Sequence, residues 1–147
     1  MEKLEKPGTK RFVTVWGGAA LVIVLALISS IDLPGPRVLL AARRAKLANE
    51  FQQVQVAVLN YDAEYSIYPV AADNATLIRM LDGTSSEGNP RTIAFVGFKP
   101  SDRDAEGELL DPWGTPIELS VTENGRLHAR SAGPDKIFGT QDDITGE

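Results

Sequence analysis

Three aspartates around a glycine-containing turn, near the C-terminal end of the chain, are the residues whose types and spacing best suit chemistry. They are Asp135, Asp142 and Asp143, and Gly133 and Gly139 supply bends beside them. Ca²⁺ takes about six to eight oxygen ligands at about 2.3–2.6 Å, so acidic side chains must converge while carbonyl groups fill the remaining positions. The pattern therefore predicts a calcium loop. The alternative interpretation is an acidic, disordered tail, because Asp and Gly are also ordinary turn residues.

Catalysis has little support elsewhere in the sequence. The single histidine, His128, falls in a candidate strand, and the chain has no cysteine for a thiolate zinc site, a disulfide framework or a cysteine nucleophile. No phosphate loop, dinucleotide fingerprint or His-Glu-x-x-His motif occurs. Asp142 and Asp143 are adjacent, which favours metal binding over the flanking of a sugar from two sides. We expect a protein that is not an enzyme, and an envelope enzyme is kept only as a third alternative.

Length and charge limit the class of protein further. The chain has 147 residues, which, less a membrane segment, suffice for one soluble domain. The formal net charge is −5. Because phosphate binding needs a basic face, nucleic acid is not expected as a partner.

The elements that must hold the loop begin with an uncharged N-terminal run. Residues 12–31 carry no charged side chain, and these 20 residues match the thickness of a bilayer core. A cleavable signal peptide has a shorter apolar stretch, of about 7–15 residues. The sequence thus predicts a transmembrane helix over residues 12–33. Basic residues flank the run on both sides, so the positive-inside rule does not decide its orientation.

A second helix is predicted over residues 34–68. Between Arg37 and Ser66 there is no Gly or Pro, and apolar side chains recur every three or four residues, which places them on one helical face. This amphipathic face is expected to pack against a sheet or another helix. Its members are Leu47, Phe51, Val54, Val58, Tyr61 and Tyr65.

Residues 69–147 predict a globular α+β part. A short helix is expected over residues 75–81, and strands over residues 93–98, 117–121 and 126–130. Asn124-Gly125 between the last two strands favours a hairpin, because these residues tolerate positive φ. We expect an antiparallel sheet.

A proline- and glycine-containing segment precedes these strands. In Asp111-Pro112-Trp113-Gly114 the proline fixes φ, the glycine permits a tight turn, and the Trp ring can cover the core. We interpret the segment as structural. The alternative is a sugar-binding platform, for which a row of aromatic rings is missing.

Together these features resemble a known family. A membrane-spanning helix continues into an amphipathic helix that ends near Tyr68-Pro69, then come Asp111-Pro112-Trp113-Gly114-Thr115-Pro116 and the acidic loop. In this order the chain resembles the major pseudopilin of type II secretion systems, in the type IV pilin-like superfamily. The resemblance implies a pilin-like α+β fold, in which a long N-terminal helix, transmembrane in its first half, packs on a small antiparallel sheet.

The resemblance also implies a set of calcium ligands. These are the side chains of Asp135, Asp142 and Asp143, with Thr140 and the carbonyl of Ala132 as further oxygens. Lys136 departs from the family, which commonly has Gly directly after the first aspartate.

The implied function is structural. Such a subunit assembles through its N-terminal helix with copies of itself, with other pseudopilin subunits and with the secretion machinery of the inner membrane. Residues 1–11 would then be cytoplasmic, and the C-terminal domain periplasmic or otherwise extracytoplasmic. Two positions depart from the family: Arg11 stands before Phe12 where a Gly is usual, and Trp16 stands where a Glu is usual. They favour the alternative, an unprocessed, membrane-anchored pilin-fold paralogue that acts as an envelope binding or scaffold module.

Overall fold

The computed structural model describes residues 35–146. The predicted cytoplasmic segment 1–11 and transmembrane helix 12–33 lie outside the described residues. None of the helices within residues 35–146 is both long enough and apolar enough to cross a membrane. The described elements are a long helix α1 (Pro36–Tyr65), a short helix α2 (Asn74–Leu81), a 3₁₀ turn (Pro100–Asp102) and the strands β1 (Glu118–Val121), β2 (Leu127–Ser131) and β3 (Ile144–Gly146).

Helix α1 confirms the predicted amphipathic helix with slightly different ends. It begins at Pro36, where the missing N–H and the fixed φ of proline suit a first helical turn. It ends at Tyr65, because Ser66 adopts a φ of +57° and turns the chain away. The predicted apolar face is the buried face, with Tyr65 only partly buried; its buried members are Leu47, Phe51, Val54, Ala57, Val58 and Tyr61.

Helix α2 confirms the predicted short helix and is tied to the sheet by a buried amide. Asp73 caps it by accepting a hydrogen bond from the Thr76 backbone N–H at 2.7 Å. The Asn74 side chain donates to the carbonyls of Leu109 (3.1 Å) and Ile117 (2.8 Å), and it accepts from the Leu109 N–H (3.1 Å). One side chain therefore holds the helix start against the segment that enters β1.

The sheet is antiparallel with the order β1-β2-β3. The predicted hairpin between β1 and β2 is confirmed: Gly125 adopts a φ of +77°, and its N–H donates to the Thr122 carbonyl at 2.9 Å. Strand β3 was not predicted. Its residues directly follow the aspartates, in a stretch for which the sequence predicts only a loop, yet Ile144 pairs with Ser131 of β2.

The predicted strand over residues 93–98 is wrong. The backbone N–H groups of Phe95 and Val96 both donate to the Leu81 carbonyl, at 2.8 and 3.2 Å, and the Ile93 N–H donates to the Asn89 side chain at 3.1 Å. The apolar side chains of this segment still pack on the core. Their hydrogen bonds go to a helix end and a loop amide instead of a neighbouring strand.

The architecture is thus α+β, with one long helix and a small three-stranded antiparallel sheet. The core lies between α1, α2 and the sheet, and it includes Leu109, Ile117, Leu127 and Ala129 from the sheet side. Gln55 of α1 adds two polar contacts to the hairpin, because it donates to the Gly125 carbonyl and accepts from the Leu127 N–H.

Candidate metal centre

The C-terminal loop connects β2 to β3, so the sheet itself brings its two ends together. Ser131 at the end of β2 pairs with Ile144 at the start of β3. Gly133 has a φ of +68°, and a Cβ at this position would overlap the backbone oxygen of Asp142. The two ends of the loop therefore approach more closely than any residue other than glycine permits.

The Asp142 carboxylate joins residues of the loop by hydrogen bonds. Its Oδ2 accepts a hydrogen bond from the Asp135 backbone N–H at 3.1 Å, and its Oδ1 accepts from the Thr140 hydroxyl at 3.0 Å. Burial raises the pKa of Asp142, but the hydrogen bonds from Asp135 and Thr140 outweigh burial and leave this pKa below its ordinary value. The carboxylate is accordingly the stable form at neutral pH.

Asp143 points to the other side of the loop, where Arg130 of β2 meets it. Its Oδ2 accepts from Arg130 Nε at 2.9 Å, from Arg130 Nη2 at 2.6 Å and from the Gly139 backbone N–H at 2.9 Å. The guanidinium, and secondarily the Gly139 N–H, lower the pKa of Asp143. Its other oxygen, Oδ1, is buried and has no hydrogen-bond partner.

The remaining predicted ligands lie along the same loop. Asp135 is exposed and its Oδ1 accepts from the Ile137 N–H at 2.9 Å. The Thr140 hydroxyl oxygen also lies 3.2 Å from the Ile137 carbonyl, a second possible acceptor for its one proton. Ala132 is fully buried at the start of the loop. Lys136 is exposed with a φ of +62°, a conformation that glycine adopts at less cost.

The predicted ligands share one loop without converging on one point. Within residues 35–146 there is no group of three or more His, Cys, Asp or Glu side chains arranged to hold a metal ion. Asp135 and Asp142 are joined by a hydrogen bond, whereas Asp143 is drawn toward Arg130. The predicted ligands are all oxygen atoms, the donor type that Ca²⁺ takes, and Oδ1 of Asp143 is buried without a hydrogen-bond partner.

Asp111 anchors the loop entrance, a role that the sequence analysis missed. Asp111 is 4% exposed. Its Oδ1 accepts from the backbone N–H groups of Trp113 and Thr115, both at 2.9 Å, and its Oδ2 accepts from the Ser131 hydroxyl at 2.6 Å. The Ser131 oxygen in turn accepts from the Gly133 N–H at 3.0 Å. The turn that begins at Asp111 is therefore coupled by hydrogen bonds to the C-terminal loop. An aspartate before Pro-x-Gly is the sequence signal that could have indicated this role.

Arg130 is the second residue that sequence reasoning missed. Besides its contacts with Asp143, its Nη1 lies 3.4 Å from Glu118 Oε2 on β1, and its guanidinium carbon lies 5.1 Å from the centre of the Phe138 ring. In the sequence Arg130 is one polar residue in the alternating pattern of a strand, and nothing local identifies its partner. Arg130 meets its partner, Asp143, because β3 pairs with β2.

A second polar cluster lies on α1, away from the loop. Glu50 is 3% exposed and pairs with Lys46 at 3.2 Å; Lys46 also binds Asp102, at 3.0 Å. Burial raises the pKa of Glu50 against the opposing effect of Lys46, and one of its oxygens, Oε2, has no hydrogen-bond partner. Lys46 lowers the pKa of Asp102. His128, in contrast, is exposed on β2, as expected for a surface strand residue.

Comparison with protein-family models, with curated proteins and with solved structures returned no match.

Proposed function

We propose that this chain is a pilin-like, pseudopilin-like structural subunit of a type II secretion pseudopilus or a related assembly. It assembles through its N-terminal helix with copies of itself and with other pseudopilin subunits and the secretion machinery. It lies in the inner membrane, with its C-terminal domain on the periplasmic or otherwise extracytoplasmic side. The order of elements supports this proposal: a predicted membrane helix, a long helix, a small sheet and an acidic loop.

The observation that carries the proposal is a second stripe on α1, on the face opposite the core. Its residues recur at spacings of three or four and all are exposed: Ala41, Ala45, Ala48, Gln52, Val56, Leu59 and Ala63. A surface helix with only one buried face normally carries polar residues on the other. Here Val56 and Leu59 are each about half exposed, and the alanines leave room for a second helix to approach.

Cysteine cross-linking tests the assembly directly, because the chain contains no cysteine of its own. We expect full-length Val56→Cys to form disulfide-linked dimers in membranes under mild oxidation, because one cysteine per chain can join two chains. Glu123→Cys is the matched control, since Glu123 is also exposed but lies in the hairpin turn. Equal cross-linking of both variants, or none with Val56→Cys, would contradict assembly through α1.

Calcium binding at the C-terminal loop is the second part of the proposal. Asp135, Asp142 and Asp143 supply the charge, with Thr140 and the Ala132 carbonyl as further oxygens, and the bound ion would add hard-oxygen cross-links between the loop ends. A ligand that binds only the folded state stabilises it, by about 2.7 kcal/mol at a hundredfold excess over Kd.

Thermal unfolding in calcium and in EDTA tests this part. We expect millimolar calcium to raise the Tm of the parent and to leave the Tm of the double variant Asp135→Ala/Asp142→Ala unchanged. For each protein the Tm in calcium is compared with its own Tm in EDTA. This difference excludes the stability that is lost with the metal-independent hydrogen bonds of the same residues. A calcium-dependent rise of equal size in both proteins would refute a site at these aspartates.

The alternative function is that of an unprocessed pilin-fold paralogue, permanently anchored and acting as an envelope binding or scaffold module. Arg11 before Phe12 and Trp16 in place of an acid favour it. Intact mass and N-terminal sequencing of membrane-derived protein separate the two candidates. A chain that begins at Phe12 supports the assembling subunit, and a chain that begins at Met1 or Glu2 supports the anchored module.

A further inference from the structure

Arg130 places a positive charge against Asp143, one of the predicted calcium ligands of the C-terminal loop. Two of its nitrogens donate to the same carboxylate oxygen of Asp143, at 2.9 and 2.6 Å. The side chain is held from three sides, because Glu118 lies against Nη1 and Phe138 stacks near the guanidinium. Such a charge-assisted pair with a fixed guanidinium is stronger and more directional than a neutral hydrogen bond.

The pairing explains why the three aspartates do not converge. Asp142 turns toward Asp135 and Thr140, inside the loop, whereas Asp143 turns toward β2. Each of these carboxylates has hydrogen-bond donors from the protein itself. Only Asp143 Oδ1 is left buried and without a partner.

We infer that Arg130 is a built-in counter-cation that closes the C-terminal loop in the absence of calcium and competes with calcium for Asp143. The inference rests on the proposed calcium loop and adds to it the residue that sets calcium affinity. Arg130 is a positioning residue here: it acts through Asp143 and does not contact the ion. Calcium and the guanidinium both carry positive charge, so each weakens the binding of the other to one shared carboxylate.

The test compares calcium affinity and calcium-free stability in the full chain, purified in a mild detergent. Arg130→Gln removes the charge and keeps a polar, though shorter, side chain. Arg91→Gln is the matched control, because Arg91 also forms an ion pair, with Glu64, outside the loop. Calcium titration calorimetry gives Kd, and thermal unfolding in EDTA gives the stability of the metal-free loop.

We expect Arg130→Gln to lower the Tm in EDTA and to lower the Kd for calcium about tenfold. This is the size expected when a unit positive charge about 6 Å from a divalent ion is removed in a water-like dielectric. Arg91→Gln is expected to leave Kd unchanged. An Arg130→Gln variant that binds calcium as weakly as the parent, or more weakly, overturns the inference, because Arg130 would then help the ion or ignore it.

A second variant guards against a folding defect. Arg130→Lys keeps the positive charge but loses the forked donation, so its calcium affinity is expected to lie between those of the parent and Arg130→Gln; an affinity below that of the parent overturns the inference. If the parent and both variants bind no calcium at all, the proposed calcium loop is refuted, and competition at Asp143 with it. If the parent binds calcium while Arg130→Gln binds it no more tightly, only the role of Arg130 is overturned.

Discussion

Replacing Gly133 with alanine tests how closely the two ends of the C-terminal loop must approach. Gly133 has a φ of +68°, and an added Cβ would overlap the backbone oxygen of Asp142. Gly139 is the matched control in the same loop, because it has a φ of +91° and an added Cβ would meet nothing within 4 Å. Both variants therefore pay the conformational cost of a side chain at positive φ, and only Gly133→Ala adds a collision with backbone.

The magnitudes follow from these two contributions. A left-handed backbone costs an L-residue about 1–2 kcal/mol relative to the right-handed one. The collision at Gly133 adds about 1–3 kcal/mol, the usual cost of overpacking, because the obstacle is backbone and cannot rotate away. For a domain of this size 1 kcal/mol corresponds to about 4 °C in Tm. We expect Gly139→Ala to lower the Tm by about 4–8 °C and Gly133→Ala by about 8–20 °C.

Thermal unfolding followed by circular dichroism, in calcium and in EDTA, measures both variants. The excess cost of Gly133→Ala is expected in both conditions, because the close approach exists without metal. Gly133→Ala is also expected to lose most of the calcium-dependent rise in Tm, since relief of the collision moves Asp142. Equal losses of stability in the two variants would refute the reasoning that the loop ends are held together at Gly133.

Three further variants probe other parts of the fold. Asn74→Ala removes three hydrogen bonds to the buried backbone of Leu109 and Ile117 and is expected to cost about 2–4 kcal/mol in urea unfolding, so a loss below about 1 kcal/mol would contradict its role in holding α2 to this segment. Lys136→Gly relieves a φ of +62° and is expected to raise the Tm by about 2–4 °C, after the greater entropy of an unfolded glycine is subtracted; a lower Tm would show that the lysine makes compensating contacts. Burial raises the folded-state pKa of Glu50, so its protonated form favours folding and this contribution is lost as the pH rises from the ordinary value of 4.5 through the raised pKa. Unfolding of the parent and of Glu50→Gln between pH 4 and 8 is expected to show the parent losing stability relative to the variant as pH rises, and a difference that moves in the opposite direction would refute the raised pKa.

Local patterns in the sequence were sufficient to predict α1, α2 and the β1–β2 hairpin. The apolar spacing from Leu47 to Tyr61 places those side chains on one helical face whatever covers it, and Asn124-Gly125 favours a tight turn in almost any context. The same type of pattern failed at residues 93–98. A short apolar run has the composition of a strand, but whether it pairs depends on which backbone groups lie beside it in space.

The loop shows the same division between local and long-range determinants. Its aspartates lie within nine residues of one another, from Asp135 to Asp143, so they could be predicted as candidate calcium ligands from residue types and spacing alone. Which donors each carboxylate meets was decided only by the tertiary structure. Asp143 meets Arg130 because β3 pairs with β2, and Asp111 meets Ser131 although the two stand 20 positions apart in the chain. Hydrogen bonds and ion pairs act over a few Å, and sequence alone cannot tell which distant residues the folded chain brings within that range.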